Sequence, residues 1–374
     1  MNTNFTQTRP ARIATLRAVV VLAVLTVIAG TFAWHAREGS AAALHEKSGV
    51  TVSGVNDRGQ VVGTLTRGWV SHGFVWTKGS LKLTGLAEAD AINDRGEILG
   101  TNAGAQNVLW VKGRAKRIGL GYVFALNDRG QVLACSLSDP NRCGSVALWT
   151  DGKTSLLPFD SDQRVAMNDE GQVVGMLPDG DAGEWQGGKV TDLGPGDPTA
   201  INDRGEILGS RDGDVTVWRN GTATDIGPGS PVALNERGQV IGVHEITARI
   251  VQAFLWSNGT MTDLGRGYSI PTAISKSGQV VGYTYALDSP GLEGQRGFVW
   301  HNGTMTRLPA PEGHAGRPTR AVAINDHNQI VGDDCDAGGR CTPSGGNGGP
   351  RGFAVLWTLH GRKIKTLQIA KGHS

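Results

Sequence analysis

The chain has 374 residues, with 36 Lys and Arg against 34 Asp and Glu, a formal charge of +2 and 39% hydrophobic residues. So even a balance, with no long basic block, lacks the electrostatic footprint that a nucleic-acid backbone demands, and nucleic acid is excluded as the expected partner.

The N-terminus reads as a leader. Arg9, Arg12 and Arg17 precede an apolar run of 16 residues from Ala18 to Ala33, and small residues follow at Ser40 to Ala43. This is the layout of a secretory signal, too short for the roughly 20 residues of a membrane helix. Residues 1–43 are therefore expected to be a signal peptide, or an N-terminal anchor if cleavage fails, and the protein is expected to be secreted. Cleavage would remove four basic residues (Arg9, Arg12, Arg17, Arg37) and one acidic residue (Glu38), leaving 32 Lys and Arg against 33 Asp and Glu.

From residue 44 to 368 one phrase recurs eight times, an apolar pair followed by Asn-Asp-Arg-Gly-Gln-Val-Val-Gly or a variant. The turn cores begin at Asn56, Asn93, Asn127, Asn168, Asn202, Asn235, Ser275 and Asn325. The companion tryptophans are Trp76, Trp110, Trp149, Trp185, Trp218, Trp256, Trp300 and Trp357. Within a unit there are four short apolar runs. Asn-Asp-Arg-Gly between the first two has the composition of a type I turn with Gly in the left-handed position. Asn220-Gly221, Asn258-Gly259 and Asn302-Gly303, between the third and fourth, are strong two-residue hairpin signals. They also match glycosylation acceptors, which the turn composition explains sufficiently. Four-stranded units copied in this way predict an all-β fold, a β-propeller of eight blades. Seven blades plus an irregular unit is the alternative. The predicted units are 50–86, 87–120, 121–158, 159–194, 195–228, 229–265, 266–309 and 310–368, with 369–374 a tail. Units seven and eight depart from the rule, with Ser275-Lys276-Ser277 and His327-Asn328 at their turns and the longest insertions after them.

The run Gln252-Ala253-Phe254-Leu255-Trp256, then Asn258-Gly259, Thr262-Asp263-Leu264-Gly265, Ala273-Ile274 and Gly278-Gln279-Val280-Val281-Gly282 resembles the probable extracellular repeats called the HAF family. The resemblance covers about residues 50 to 367. Of the His-Ala-Phe tripeptide that names those repeats, His72-Gly73-Phe74 comes nearest. The resemblance implies an exported, propeller-like protein and adds little on activity.

Cys135 with Cys143 and Cys335 with Cys341 form two close pairs, expected to be local disulfides in an exported protein. Neither pair has metal-ligand spacing, so no metal and no cofactor is expected. Asp179 and Asp181 have the spacing of a calcium loop but lack the later Glu of an EF-hand. Ser71-His72 points to opposite faces of a strand and has no orienting acid, so it is not read as catalytic.

In a meander, both regular turns fall at one end of the blade and every variable link at the other. Loops over a rigid frame carry binding residues, so the variable end is the expected binding face. The candidates there are Trp69, His72, Tyr122, His244, Arg249, Tyr268, Tyr283 and Tyr285, suited to an envelope glycan or a protein ligand, the alternative being that the aromatics plug the central channel or cover blade edges. Asp192, Asp225 and Asp263 recur at one place in their units and read as structural. The expected function is non-enzymatic recognition or scaffolding by a monomer. A glycan-cleaving enzyme is the alternative, which would need two carboxyls among Glu184, Asp181, Glu245, Glu293 and Asp288 paired in one pocket.

Overall fold

The computed structural model describes residues 48–370 apart from 68–69, 140–141, 161–163, 248–249, 266, 286–294, 336–352 and 362. The expected leader at 1–43 lies outside the described residues. Thirty-two strands form eight separate four-stranded sheets, each built from four consecutive strands in antiparallel order. The sheets are the blades of a β-propeller and occupy 48–83, 88–117, 123–156, 165–195, 197–228, 230–263, 269–307 and 319–370. All eight repeats form blades, so the alternative of seven plus an irregular unit does not hold.

In every blade the first strand is innermost. First strands of neighbouring blades touch all the way round, including β1 (Ser48–Val55) with β29 (Thr319–Ile324), which closes the ring. Fourth strands are outermost, and those of blades 2 and 3, β8 (Arg114–Arg117) and β12 (Lys153–Leu156), are exposed along their whole length. Closure needs no strand exchange, because Val50, Val52 and Phe74 of blade 1 share one core cluster with Val331, Leu356 and Ile369 of blade 8.

The tryptophans stand at one register position throughout. Each lies opposite the first β-branched residue of the second strand, as in the pairs Val61 with Trp76, Val240 with Trp256 and Ile330 with Trp357. Trp218 and Trp357 are fully buried, and their indole N–H groups donate to Leu193 O in the fourth strand of blade 4 and to Pro309 O in the link before blade 8. These rings fill the wedge between blades, so the motif answers to packing.

The glycine ending each Val-Val-Gly phrase has a different cause. Except in blade 4, the innermost strand carries a β-bulge opposite it, for example between Ala321 and Ala323 in blade 8 and between Pro271 and Ala273 in blade 7. The bulge drives a carbonyl toward the second strand. A Cβ at Gly332 would stand 2.0 Å from Arg320 O, and one at Gly282 would stand 2.1 Å from Ile270 O. Only glycine leaves room there.

Candidate functional site

The two rims of the propeller differ as the strand order requires. The Asn-Asp-Arg-Gly turns and the third-to-fourth hairpins occupy one rim, and the links between second and third strands and between blades occupy the other.

On the tight-turn rim each turn has the expected geometry. Gly59 takes φ +71°, Gly96 +79° and Gly238 +70°, while Asn328 fills the left-handed place in blade 8 at +62°. The Asx bond is present too, with Arg58 N–H donating to Asn56 Oδ1 at 3.1 Å. Beyond these local bonds, the asparagines clamp the ring. Asn56 Nδ2 donates to Asn93 O in the next blade at 2.9 Å, Asn93 Nδ2 to Asn127 O, and so on round the wheel to Asn325 Nδ2, which donates to Asn56 O. Ser275 is the exception, since its hydroxyl pairs with Ser277 Oγ at 2.9 Å.

A second ring lies over the first. Asp57 N–H donates to Asp94 Oδ1, Asp94 N–H to Asp128 Oδ1, Asp128 N–H to Asp169 Oδ1 and Asp169 N–H to Asp203 Oδ1, all at 2.6–2.7 Å. Lys276 enters this ring of acids, with Nζ 2.9 Å from Asp326 Oδ2 and 3.7 Å from Asp57 Oδ2. Burial, reinforced by the fields of Asp128, Asp203 and Asp94, raises the Asp169 carboxyl to about 6. The hydrogen bond to Asp326 and the charges of Asp326, Asp57 and Asp94 push the Lys276 ammonium up. Asp94 of blade 2 thus acts on blades 4 and 7, so the acids share one mouth. The Asp and Asn of the repeated turn are structural, holding one blade to the next.

On the variable rim the structure assembles a cluster at blades 7 and 8. Tyr268 precedes β25 (Ser269–Ile274), Tyr283 lies in β26 (Val280–Thr284), and Tyr285 follows it. Tyr285 N–H donates to Tyr268 O at 3.0 Å, which prolongs the ladder and brings the rings together. The Tyr268 and Tyr285 centroids are 4.9 Å apart and those of Tyr283 and Tyr285 5.6 Å, both pairs edge to face. Tyr283 is buried, while Tyr268 and Tyr285 are half-buried. Burial pushes all three phenols up, so they stay neutral hydroxyl donors and acceptors.

The charge of the Arg320 guanidinium reaches Tyr283 and Tyr285. Arg320 Nη2 donates to Asp333 Oδ2 at 2.7 Å, across the register pair that joins β29 to β30 (Gln329–Asp334). Among the described residues the buried Arg320 Nε has no hydrogen-bond partner, while the Asp333 carboxyl also draws on the Val52 backbone N–H. Burial raises the Asp333 carboxyl, opposed by Arg320. The adjacent Asp334 is wholly buried and accepts from His314 Nδ1 at 2.5 Å, with Arg317 at 4.0 Å. His314 and Arg317 also lie against Phe353, with ring centroids 4.6 Å apart and the guanidinium carbon 5.6 Å from the ring centre. This second group anchors the link between blades 7 and 8.

The other candidates are not drawn into the cluster. His72 lies in β3 (Val70–Thr77) of blade 1, and Tyr122, 57% exposed, stands just before blade 3. His244 is in blade 6, stacked on Phe254, its Nε2 3.2 Å from Asp263 Oδ1 but outside hydrogen-bonding geometry. Trp69 and Arg249 lie outside the described residues, as do Asp288 and Glu293. Ser71 Oγ shares a hydrogen bond with Thr66 Oγ1. Of the acids named for a cleaving site, Glu184 accepts from Gln172 Nε2 at 2.7 Å, and the Asp181 N–H is capped by Asp179. Asp225 is held by Arg211 and Thr216, and Asp192 caps Gly194 N–H, in keeping with structural roles. Sequence reasoning missed Arg320, Asp333, Asp334, His314 and Arg317. Two consecutive acids at the end of a strand, where no other unit carries even one, were the available signal.

Cys135 and Cys143 form a disulfide with Cα atoms 5.2 Å apart, fastening one variable link of blade 3. Cys335 is also disulfide-bonded, and its expected partner Cys341 lies outside the described residues. No helix among the described residues is long and apolar enough to cross a membrane.

An all-β wheel of eight closed blades with one regular and one variable rim defines the chain as a β-propeller protein. No family model matches the sequence, and no curated protein does. Among solved structures it is similar to dipeptidyl peptidase 4 of Porphyromonas gingivalis, with TM-score 0.54 and 10% identity over 86% of this chain and 60% of that one. It is also similar to a prolyl endopeptidase, with TM-score 0.50 and 10% identity over 83% of this chain and 54% of that one. The chain thus spans 54–60% of the length of these enzymes, and at this identity the likeness shows the propeller fold.

Proposed function

We propose that the protein is an exported, non-enzymatic recognition protein of the HAF-repeat type that binds a cell-envelope glycan through the variable rim of blades 7 and 8. The observation that carries this reading is the convergence of Tyr268, Tyr283 and Tyr285 into one edge-to-face stack within the field of Arg320. Aromatic faces take the apolar side of a sugar ring, and neutral phenols with a guanidinium supply donors and acceptors for its hydroxyls. Export is supported by the leader pattern and by the disulfide of Cys135 with Cys143.

The peptidase neighbours favour an enzyme as the second reading, but a glycan-cleaving site needs two carboxyls roughly 5 to 10 Å apart across a cleft. Asp333 and Asp334 are consecutive in a strand and so face opposite sides, Asp333 held by Arg320 and Asp334 by His314. The test is a glycan array probed with the protein from residue 44 onward, followed by titration of the best ligand. Tyr268→Ala and Tyr285→Ala should each weaken binding about tenfold, the loss of a central aromatic contact. Unchanged affinity in both would overturn the reading, and hydrolysis of the ligand would favour the enzyme.

A further inference from the structure

The wheel also has an outer wall, formed by the fourth strand of each blade, and its chemistry is uneven. In blades 1, 2 and 3 those strands are β4 (Ser80–Leu83), β8 and β12, exposed throughout except at Leu81. They carry five cations, Lys82, Arg114, Lys116, Arg117 and Lys153, and no acid. The fourth strands of blades 4, 5 and 6 carry one cation, Lys189, against Asp192, Asp225 and Asp263. The even balance of the whole chain hides this division, because the cations come from three separate units of the repeat.

One register position displays it. The residue paired with the second position before the tryptophan is Leu83, Arg117 and Leu156 in blades 1 to 3, and Asp192, Asp225 and Asp263 in blades 4 to 6. Leu83 is 56% exposed and Leu156 66%. Two large apolar side chains in neighbouring blades thus flank a guanidinium at one end of the wall. Lys116 lies 2.9 Å from Asp151, an exposed ion pair that water weakens. Among the described residues the other four cations have no ion pair.

Edge protection accounts for part of this pattern. An outermost strand leaves N–H and C=O groups unpaired, and a charge there discourages pairing with another chain. Threonines and a single Asp suffice for β24 (Thr260–Asp263) in blade 6, so three cations in the four residues of β8 exceed that need. Exposed leucines run against it, since they make an edge stickier. A convex wall of cations between apolar side chains has another complement, a broad flat surface of anionic headgroups over an apolar layer.

We propose that the outer wall of blades 1 to 3 docks the propeller on an anionic lipid surface. Lys82, Arg114, Arg117 and Lys153 meet the headgroups, Leu83 and Leu156 enter the interface, and the acids of blades 4 to 6 turn the rest of the wall away. The wheel then stands on its edge with both rims open. This surface is separate from the tyrosine cluster and stands whether or not that cluster binds glycan.

The experiment is co-sedimentation of the protein from residue 44 onward with vesicles of phosphatidylcholine alone and of equimolar phosphatidylcholine and phosphatidylglycerol. Binding to the mixed vesicles is expected to be at least about tenfold stronger. It should collapse at about 1 M salt, where the Debye length is about 3 Å. Arg114→Gln with Arg117→Gln removes two charges at about fivefold each, so the pair should weaken partitioning roughly 25-fold. Leu83→Ser with Leu156→Ser should weaken it about tenfold at unchanged charge. Arg307→Gln, at the same register position in blade 7, should leave it unchanged. All five side chains are exposed, and a urea midpoint equal to the parent's shows that a loss is one of docking. Absence of vesicle binding, equal binding to the neutral vesicles, indifference to either double variant, or an equal loss in Arg307→Gln would each overturn the proposal. Capture by soluble polygalacturonate without vesicle binding would assign the wall to an acidic glycan and overturn the lipid reading.

Discussion

Ser275→Asn should make the protein more stable. In blade 6, Asn235 Nδ2 donates to Gln239 Oε1 at 2.8 Å and to Ser275 O in the next turn at 2.9 Å, and its Oδ1 accepts from Arg237 N–H at 3.0 Å. In blade 7 the serine hydroxyl accepts from Gln279 N–H at 3.2 Å and bonds Ser277 Oγ, which leaves Gln279 Oε1 buried and unpartnered. An asparagine would supply a donor to Gln279 Oε1, a donor to Asn325 O and an acceptor for Ser277 N–H. Three hydrogen bonds at about 1 kcal/mol each, less about 1 kcal/mol for the lost hydroxyl pair, leave a gain of about 2 kcal/mol. Fixing the longer side chain subtracts up to about 1 kcal/mol, so the net is about 1–2 kcal/mol. Equilibrium urea unfolding reads this as a higher midpoint at unchanged slope, accompanied by a rise in Tm of a few degrees. A midpoint that stays put or falls, with the slope unchanged, would refute the claim that the asparagine clamps hold the ring.

Three further outcomes follow from the geometry. Gly282→Ala places a Cβ 2.1 Å from Ile270 O and should destabilise by about 1–3 kcal/mol through overpacking, measured by the same urea midpoint. Asp169→Asn keeps an oxygen acceptor for the Asp128 N–H but removes the charge. The folded carboxyl is raised to about 6, so its contribution to stability is full below its unfolded value near pH 4 and is lost as pH rises through 6. The variant should therefore match the parent near pH 4 and exceed it at pH 7.5 by about 1 kcal/mol, discounted for partial exposure. A pH series of melting curves that run parallel would contradict this. Arg320→Leu leaves Asp333 buried without its cation and should cost about 3–5 kcal/mol. Adding Asp333→Leu should recover much of that in a double-mutant cycle.

The fold could be read in the sequence because its signals are local and repeated. The Asn-Gly hairpins and the left-handed glycine of Asn-Asp-Arg-Gly depend on neighbours within four residues, and both have the expected geometry. What the asparagine amide does lay beyond local reading. Its acceptor is 37 residues away for Asn56 and 269 away for Asn325, and only ring closure brings them together. Gly332 carried a signal that passed unread, since an isolated glycine inside a strand marks a bulge or a close backbone approach. The tyrosines were placed on the right links by strand order alone. Their contact depends on Tyr268 and Tyr285 closing the ladder of β25 and β26, which no spacing rule supplies. Asp333 and Asp334 look like loop acids in the sequence, and only burial turns them into partners for Arg320 and His314.

The most direct test of the account is hydrogen exchange across the whole wheel, free and with the glycan selected on the array. Ligand-induced protection confined to the segments around 268–285 and 314–334 is the predicted result, with the Asn-Asp-Arg-Gly turns already slow to exchange and unchanged. Protection centred on those turns, or spread evenly over both rims, would contradict the division of the propeller into a clamping rim and a binding rim.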